Sequence, residues 1–122
     1  NDLLNGQNGA NAAINSLRAM IGEARSQGVR VALATIPPQR PGGRRDAVAK
    51  SIPAFNDRMR ALAAAEATDL VEVFDGMKDD LSYIGVDDLH PSVRGYDAMA
   101  TIYFDAIQRI YESKPAVGRF RR

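Results

Sequence analysis

Apolar residues near the start of the chain recur at helical spacing. Ile14, Leu17, Ile21 and Ala24 fall three and four residues apart and line one face of a helix predicted over Ala10 to Gln27. Gly28 is placed to end it, because glycine adopts the left-handed backbone that closes a helix at little cost. The residues before it, Asn1 to Gly9, are rich in asparagine and glycine and read as a loop. Val29 to Ile36 is a mostly apolar run bounded by Gly28 and Pro37-Pro38, the pattern of a buried parallel strand.

Pro37 to Asp46 carries three prolines, two glycines and three arginines, and is predicted to be an irregular surface loop. Ala47 to Ala67 is helical in composition. Proline is tolerated in a first turn, so Pro53 puts the helix start near Ser51 as N-cap, with Phe55, Met59, Leu62 and Ala63 facing inward. Asp69 to Phe74 reads as a second strand and Asp75 to Pro91 as an irregular, acidic stretch. A last helix fits Ser92 to Ser113, turning Tyr96, Met99, Tyr103, Ile107 and Ile110 inward, with Pro115 beyond its end. Helices alternating with strands indicate an α/β fold with a parallel sheet. Two strands are too few to build such a sheet, so more are expected from elsewhere.

Composition adds exclusions. The chain has 122 residues, 45% hydrophobic and 25% charged, the mix of a globular domain, and no run approaches the roughly 18 apolar residues of a membrane span. With no cysteine there is no disulfide, thiolate metal site or cysteine nucleophile, and the compartment stays open. Net charge is +1, and Arg119, Arg121 and Arg122 form a basic end that reads as a solvated tail. No basic-aromatic stripe points to a nucleic-acid partner. One histidine and no cysteine leave too few ligands for a zinc site. Asp79, Asp80, Asp87 and Asp88 lack the spacing and glycine of a calcium loop and read as a solvated acidic segment. Gly42-Gly43 lacks nucleotide-binding spacing and reads as a flexible turn.

Chemistry concentrates on the single histidine, within Asp87-Asp88-Leu89-His90-Pro91-Ser92-Val93-Arg94-Gly95-Tyr96. An imidazole acting as general base needs a carboxylate to orient its Nδ1–H and to stabilise the imidazolium. Asp87, three residues earlier, can fold back to do this in a tight loop stiffened by Pro91. The segment follows the second strand, at the edge where open parallel sheets hold their active sites. A surface histidine near a helix N-terminus would also attract acidic neighbours. Against that, Asp at −3, Pro at +1 and Gly at +5 coincide by chance roughly once in three thousand at this composition, which favours chemistry. Ser92 reads as a helix N-cap.

Asp87 to Tyr96 resembles the Asp-x-x-His-Pro block near the C-terminus of SGNH/GDSL hydrolases, a family of serine esterases, lipases and acylhydrolases. Asn1-Asp2 resembles the end of that family's Gly-x-Asn-Asp block, and the strands ending at Thr35-Ile36-Pro37-Pro38 and at Phe74 resemble its fourth and fifth strands. The resemblance covers about Asn1 to Ile110. It implies part of a three-layer α/β/α, flavodoxin-like fold with a parallel sheet, to which this chain supplies about two strands and three main helices. Residues 1–114 would be the C-terminal part of a single domain, and 115–122 a basic tail.

The resemblance also implies roles. His90 would be the general base, Asp87 would orient it, and Asn1 would donate to the oxyanion, while Asp88 falls in a variable position. Tyr96 and the last helix would be packing, and the Pro37–Asp46 loop would line the substrate site. The substrate would be a small carboxylic ester, hydrolysed through an acyl-serine with no metal or organic cofactor. The family's Gly-Asp-Ser nucleophile block and the glycine that supplies a second oxyanion donor are absent here. None of Ser16, Ser26, Ser51, Ser82, Ser92 and Ser113 stands in that context. The expectation is that an N-terminal segment of about 70 to 90 residues, or a second chain, completes the sheet and supplies the serine. Two other readings stay open: a non-catalytic α/β interaction module derived from the same fold, and a thioesterase or carbohydrate acetylesterase on the same scaffold.

Overall fold

The computed structural model describes residues 1–112. A 3-10 turn, Asp2–Asn5, leads directly into helix α1, Gly6–Ser26, so the segment expected to be a loop is largely helical. Its glycines permit this, since a Cβ on Gly9 would collide with the Asp2 carbonyl oxygen where turn and helix stack. The end of α1 is as expected. Gly28 takes φ 72°, its N–H donates to Arg25 O at 2.9 Å, and Val29 N–H donates to Ala24 O at 2.9 Å.

Strands β1, Ala32–Ala34, and β2, Asp69–Val71, pair in parallel with Leu33 opposite Leu70. Both are shorter than expected, and side chains end them. Thr35 Oγ1 accepts the Phe74 N–H at 3.0 Å, which turns Phe74 out of the strand and into helix α3, Val73–Met77. Asn56, fully buried, accepts the Ile36 N–H on Oδ1 at 2.8 Å and donates from Nδ2 to Ile36 O at 3.0 Å. One carboxamide thereby satisfies both peptide groups where β1 gives way to the loop.

Helix α2 runs Asp46–Ala65 and starts earlier than Ser51. Ser51 is not the N-cap; it lies inside the helix and donates from Oγ to Val48 O at 2.8 Å. Pro53 sits in the interior, where it removes one bond of the ladder. The early start is held by Asp46, which accepts the Gly42 N–H at 2.7 Å and pairs with Lys50 at 2.5 Å.

Successive strand residues point to opposite faces of the sheet. Leu33 and Leu70 join Ile14 and Ile21 of α1 and Phe55, Met59, Leu62 and Ala63 of α2. Ala34 and Val71 join Val73 and Met77 of α3 and the inner stripe of α4, Val93–Glu112. The result is a helix-rich α/β/α arrangement around a two-stranded parallel sheet. Burying a side chain such as Phe55 or Leu62 contributes about 1.5–3 kcal/mol before conformational entropy is counted.

The inward stripe of α4 differs from expectation. Met99 and Ile110 face the core as predicted, together with Gly95, Ile102 and Ala106, whereas Tyr96, Tyr103 and Ile107 are 55%, 38% and 53% exposed. Small residues decide the rotation: Gly95 packs on the Tyr83 carbonyl and Gly76 leaves room for Ile102, so the buried stripe lies one residue away from the aromatic one. Ser113, Pro115 and the basic tail lie outside the described residues. Among the described residues no helix is long and apolar enough to cross a membrane.

Thr35 N–H donates to Val71 O and Asp69 N–H donates to Val31 O, so odd-numbered residues of β1 bond to β2. The peptide groups of Ala32 and Ala34 therefore face the opposite edge, which no described strand covers. A groove of about 480 Å³, walled by Leu17, Met20, Ile36, Val48, Phe55 and Met59, opens at the carboxyl end of β1.

Replacing Asn56 with leucine keeps the branching and heavy-atom count of the side chain but orphans a donor and an acceptor at Ile36. In urea unfolding of the intact protein, Asn56→Leu is expected to lose about 2–4 kcal/mol. A loss under about 0.5 kcal/mol would show that Ile36 finds other partners.

Candidate active site

Asp87 and His90 lie at the tip of a short hairpin between α3 and α4. Asp80 starts it, accepting the Ser82 N–H at 2.9 Å and so capping a 3-10 turn, Leu81–Tyr83. Ile84 and Pro91 then bridge antiparallel, Gly85 N–H donates to His90 O at 2.7 Å, and Ser92 N–H donates to Tyr83 O at 2.8 Å. Ser92 also locks the exit, donating from Oγ to Ser82 O at 2.6 Å and accepting the Gly95 N–H at 3.1 Å as the N-cap of α4. The glycine five residues beyond His90 is needed because any side chain at Gly95 would strike Tyr83 O.

Within this frame Asp87 folds back on His90. Its Oδ1 accepts the N–H groups of Leu89 at 3.0 Å and His90 at 2.9 Å, and its Oδ2 lies 2.5 Å from His90 Nδ1. The hydrogen bond to His90, with the two backbone donors behind it, holds the Asp87 carboxyl far below the usual carboxylate range. With Nδ1 engaged, Nε2 is the free nitrogen of a ring that is 66% exposed.

Asn1 lines the mouth of the apolar groove with Asp2 and Gln39. Its carbonyl accepts the Leu4 N–H at 2.9 Å, while its carboxamide makes no capping bond. Among the described residues no hydrogen bond joins Asn1 to Asp87 or His90. The Pro37–Arg45 loop links the two regions: Gln39 shares the groove with Asn1, and Arg40 N–H donates to Asp88 O at 3.0 Å. The serine hydroxyls of Ser26, Ser51 and Ser92 are committed to backbone carbonyls, and no described serine bonds to His90.

The acidic stretch is not one cluster. Asp80 caps a turn, Asp87 bonds to the His90 ring, and Asp88 pairs with Arg40 at 2.8 Å. Gly42-Gly43, expected to be a flexible turn, is shaped by neighbours: Gly42 takes φ 71°, and a Cβ on Gly43 would lie 2.8 Å from the Asp88 carboxylate. Arg40, Gly43, Thr35 and Asn56 went unrecognised in the sequence because their partners are 20 or more residues away. Only the Asp87-Asp88 doublet hinted at a second acid with work of its own.

The profile of the GDSL-like lipase/acylhydrolase family matches residues 1–98, and the chain belongs to that family. Its fold is that of solved relatives. A lipase/acylhydrolase from Enterococcus faecalis is 22% identical with a TM-score of 0.71, covering 88% of this chain and 55% of that one. A GDSL-like lipase from Bacteroides thetaiotaomicron is 21% identical with a TM-score of 0.67, covering 83% and 53%. A variant of an acetyl-xylooligosaccharide esterase from Geobacillus is 18% identical with a TM-score of 0.67, covering 80% and 47%. The chain thus spans about half the length of these structures. No curated protein sequence matches it.

Two outcomes follow from the hairpin. Gly95→Ala should push α4 off Tyr83 and disturb the Asp87–His90 bond, seen as a shifted or lost His90 ring-proton signal by NMR; an unchanged signal would contradict the packing. Asp87 has a folded value below its ordinary 3.8, so its contribution to stability is complete above about pH 4 and is lost only as pH falls through the lower folded value. Carbon NMR of its carboxyl should show no titration near pH 4 in the wild type and a midpoint moved up toward 3.8 in His90→Ala.

Proposed function

We propose that this chain carries the general base, its orienting acid and one oxyanion donor of a carboxylic ester hydrolase. The observation that carries this reading is the Asp87–His90 pair. A 2.5 Å contact at Nδ1 favours the tautomer protonated there and frees Nε2 to accept a proton. Nε2 takes the proton of a serine hydroxyl as its oxygen attacks the ester carbonyl. Asp87 stays ionised and stabilises the imidazolium. The Asn1 carboxamide donates to the oxyanion of the tetrahedral intermediate. His90 then protonates the departing alkoxide, and the same base activates water to release the acid and free the serine.

In this reading residues 1–114 are the C-terminal part of one domain, and the serine comes from the remainder of the domain or from a second chain. Two surfaces left unpartnered among the described residues support a covering body. One is the open edge of β1 at Ala32 and Ala34. The other is the exposed stripe of α4, where Tyr96, Tyr103, Phe104, Ile107 and Tyr111 stand in solvent. The last turn of α4 lies near the start of β1, where Arg30 sits over the Tyr111 ring at 5.1 Å and donates to Ile110 O at 3.2 Å.

The test uses the intact protein. A serine-reactive phosphonate is expected to label a serine in a Gly-Asp-Ser context, and p-nitrophenyl acetate to be hydrolysed. His90→Ala should lower kcat by about 10⁴-fold or more, and Asn1→Ala by about 10²–10³-fold. Neither labelling nor hydrolysis in the wild type would overturn the reading in favour of a binding module.

A further inference from the structure

We propose that Arg40 and Asp88 form a positioning clamp that holds the Asp87–His90 hairpin in register with the rest of the site, and that turnover depends on it. The inference rests on the reading of His90 as the base and adds two positioning residues to it.

The first observation is backbone conformation. Asp88 takes φ 64°, a left-handed conformation that glycine adopts more readily than any residue with a side chain. What the aspartate gains is its carboxylate contacts. Oδ1 accepts from Arg40 Nε at 2.8 Å, Oδ2 accepts the Arg44 N–H at 3.2 Å, and the side chain is only 16% exposed.

The second is the reach of Arg40. Its Nη2 donates to Ile84 O at 3.0 Å and to Leu81 O at 3.5 Å, while its own N–H donates to Asp88 O at 3.0 Å. One guanidinium therefore grips the base of the hairpin and its tip together. The planar fork of arginine suits this double grip, which a lysine ammonium matches only in part. The loop is fitted to the carboxylate, with Gly43 pressed against Asp88 where any side chain would intrude.

The third is what else holds the tip. Asp87 bonds only to Leu89 and His90, Asp88 N–H donates to Gly85 O, and Gly85 N–H donates to His90 O, all within the hairpin. Among the described residues, every hydrogen bond from residues 85–90 to the rest of the fold runs through Arg40 or Arg44. Without the clamp, Asp87 and His90 stay paired to each other but lose their fixed distance from the sheet. Gln39, beside Arg40, lines the groove with Asn1, so the same loop sets the spacing between base and oxyanion donor.

An ordinary partly exposed ion pair would contribute little to stability and nothing to rate. The experiment separates the two cases in the intact esterase with p-nitrophenyl acetate. Arg40→Ala and Asp88→Gly are expected to lower kcat about 10- to 100-fold, the scale of an ångström of misplacement. KM should stay within about twofold, and Arg40→Lys should recover part of the loss. Asp88→Gly is the decisive variant, since it relieves the left-handed strain while removing the carboxylate. Its Tm should hold or rise while kcat falls, and the NMR signal of the His90 ring proton should broaden. Should Arg40→Ala fail to fold, Asp88→Gly and Asp88→Asn carry the test. Wild-type kcat in Asp88→Gly and Arg40→Ala, with His90→Ala inactive, would overturn the clamp and leave the base assignment standing. An active His90→Ala would overturn the base assignment and the clamp's role in turnover with it.

Discussion

The parallel pairing of Ala32–Ala34 with Asp69–Val71 is three residues long, and both faces of the molecule are organised about it. So short a ladder cannot by itself direct the chain that leaves it. Buried polar side chains take over at its carboxyl end: the Thr35 hydroxyl receives the Phe74 N–H, and the Asn56 carboxamide closes on both peptide groups of Ile36. Arg60 extends this from the surface, binding both Glu72 oxygens at 2.7 and 2.8 Å at the end of β2. These contacts set where the Pro37–Arg45 loop and α3 depart, and the hairpin bearing His90 is built on those two departures.

Two adjacent aspartates show how environment divides identical chemistry. Asp87 faces its own hairpin, where two peptide donors and an imidazole keep it ionised and aligned. Asp88 turns through a left-handed backbone to meet Arg40 and the peptide of Arg44. One carboxylate bonds the imidazole directly; the other ties the hairpin to the neighbouring loop. Because successive residues in a tight turn point in different directions, a doublet of one residue type can serve both purposes.

The stripe of α4 carries exposed aromatic residues beside its buried face. A helix that buries Met99, Ile102 and Ala106 while exposing Tyr103, Phe104 and Ile107 is apolar around much of its circumference, as expected of a helix packed on two sides. This chain spans about half the length of the solved relatives.

Features governed by near neighbours were legible in the sequence. The stripe of α1, its closure at Gly28, the inward residues of α2, the N-cap at Ser92 and the Asp87–His90 pair each depend on residues within about one helical turn. Membership of the hydrolase family followed from the same short blocks. Tertiary structure alone decided the ends of the strands, the rotation of α4 and the partner of Asp88. Each turns on a contact between distant segments: Asn56 to Ile36 across 20 residues, Phe74 to Thr35 across 39, Arg40 to Asp88 across 48. Local pattern specifies which side chains a segment can offer, but the direction in which they are used is set by whatever backbone lies against them. Here that choice was made by close approaches at Gly43, Gly76 and Gly95 and by buried hydrogen bonds, neither of which has a periodic signature along the chain.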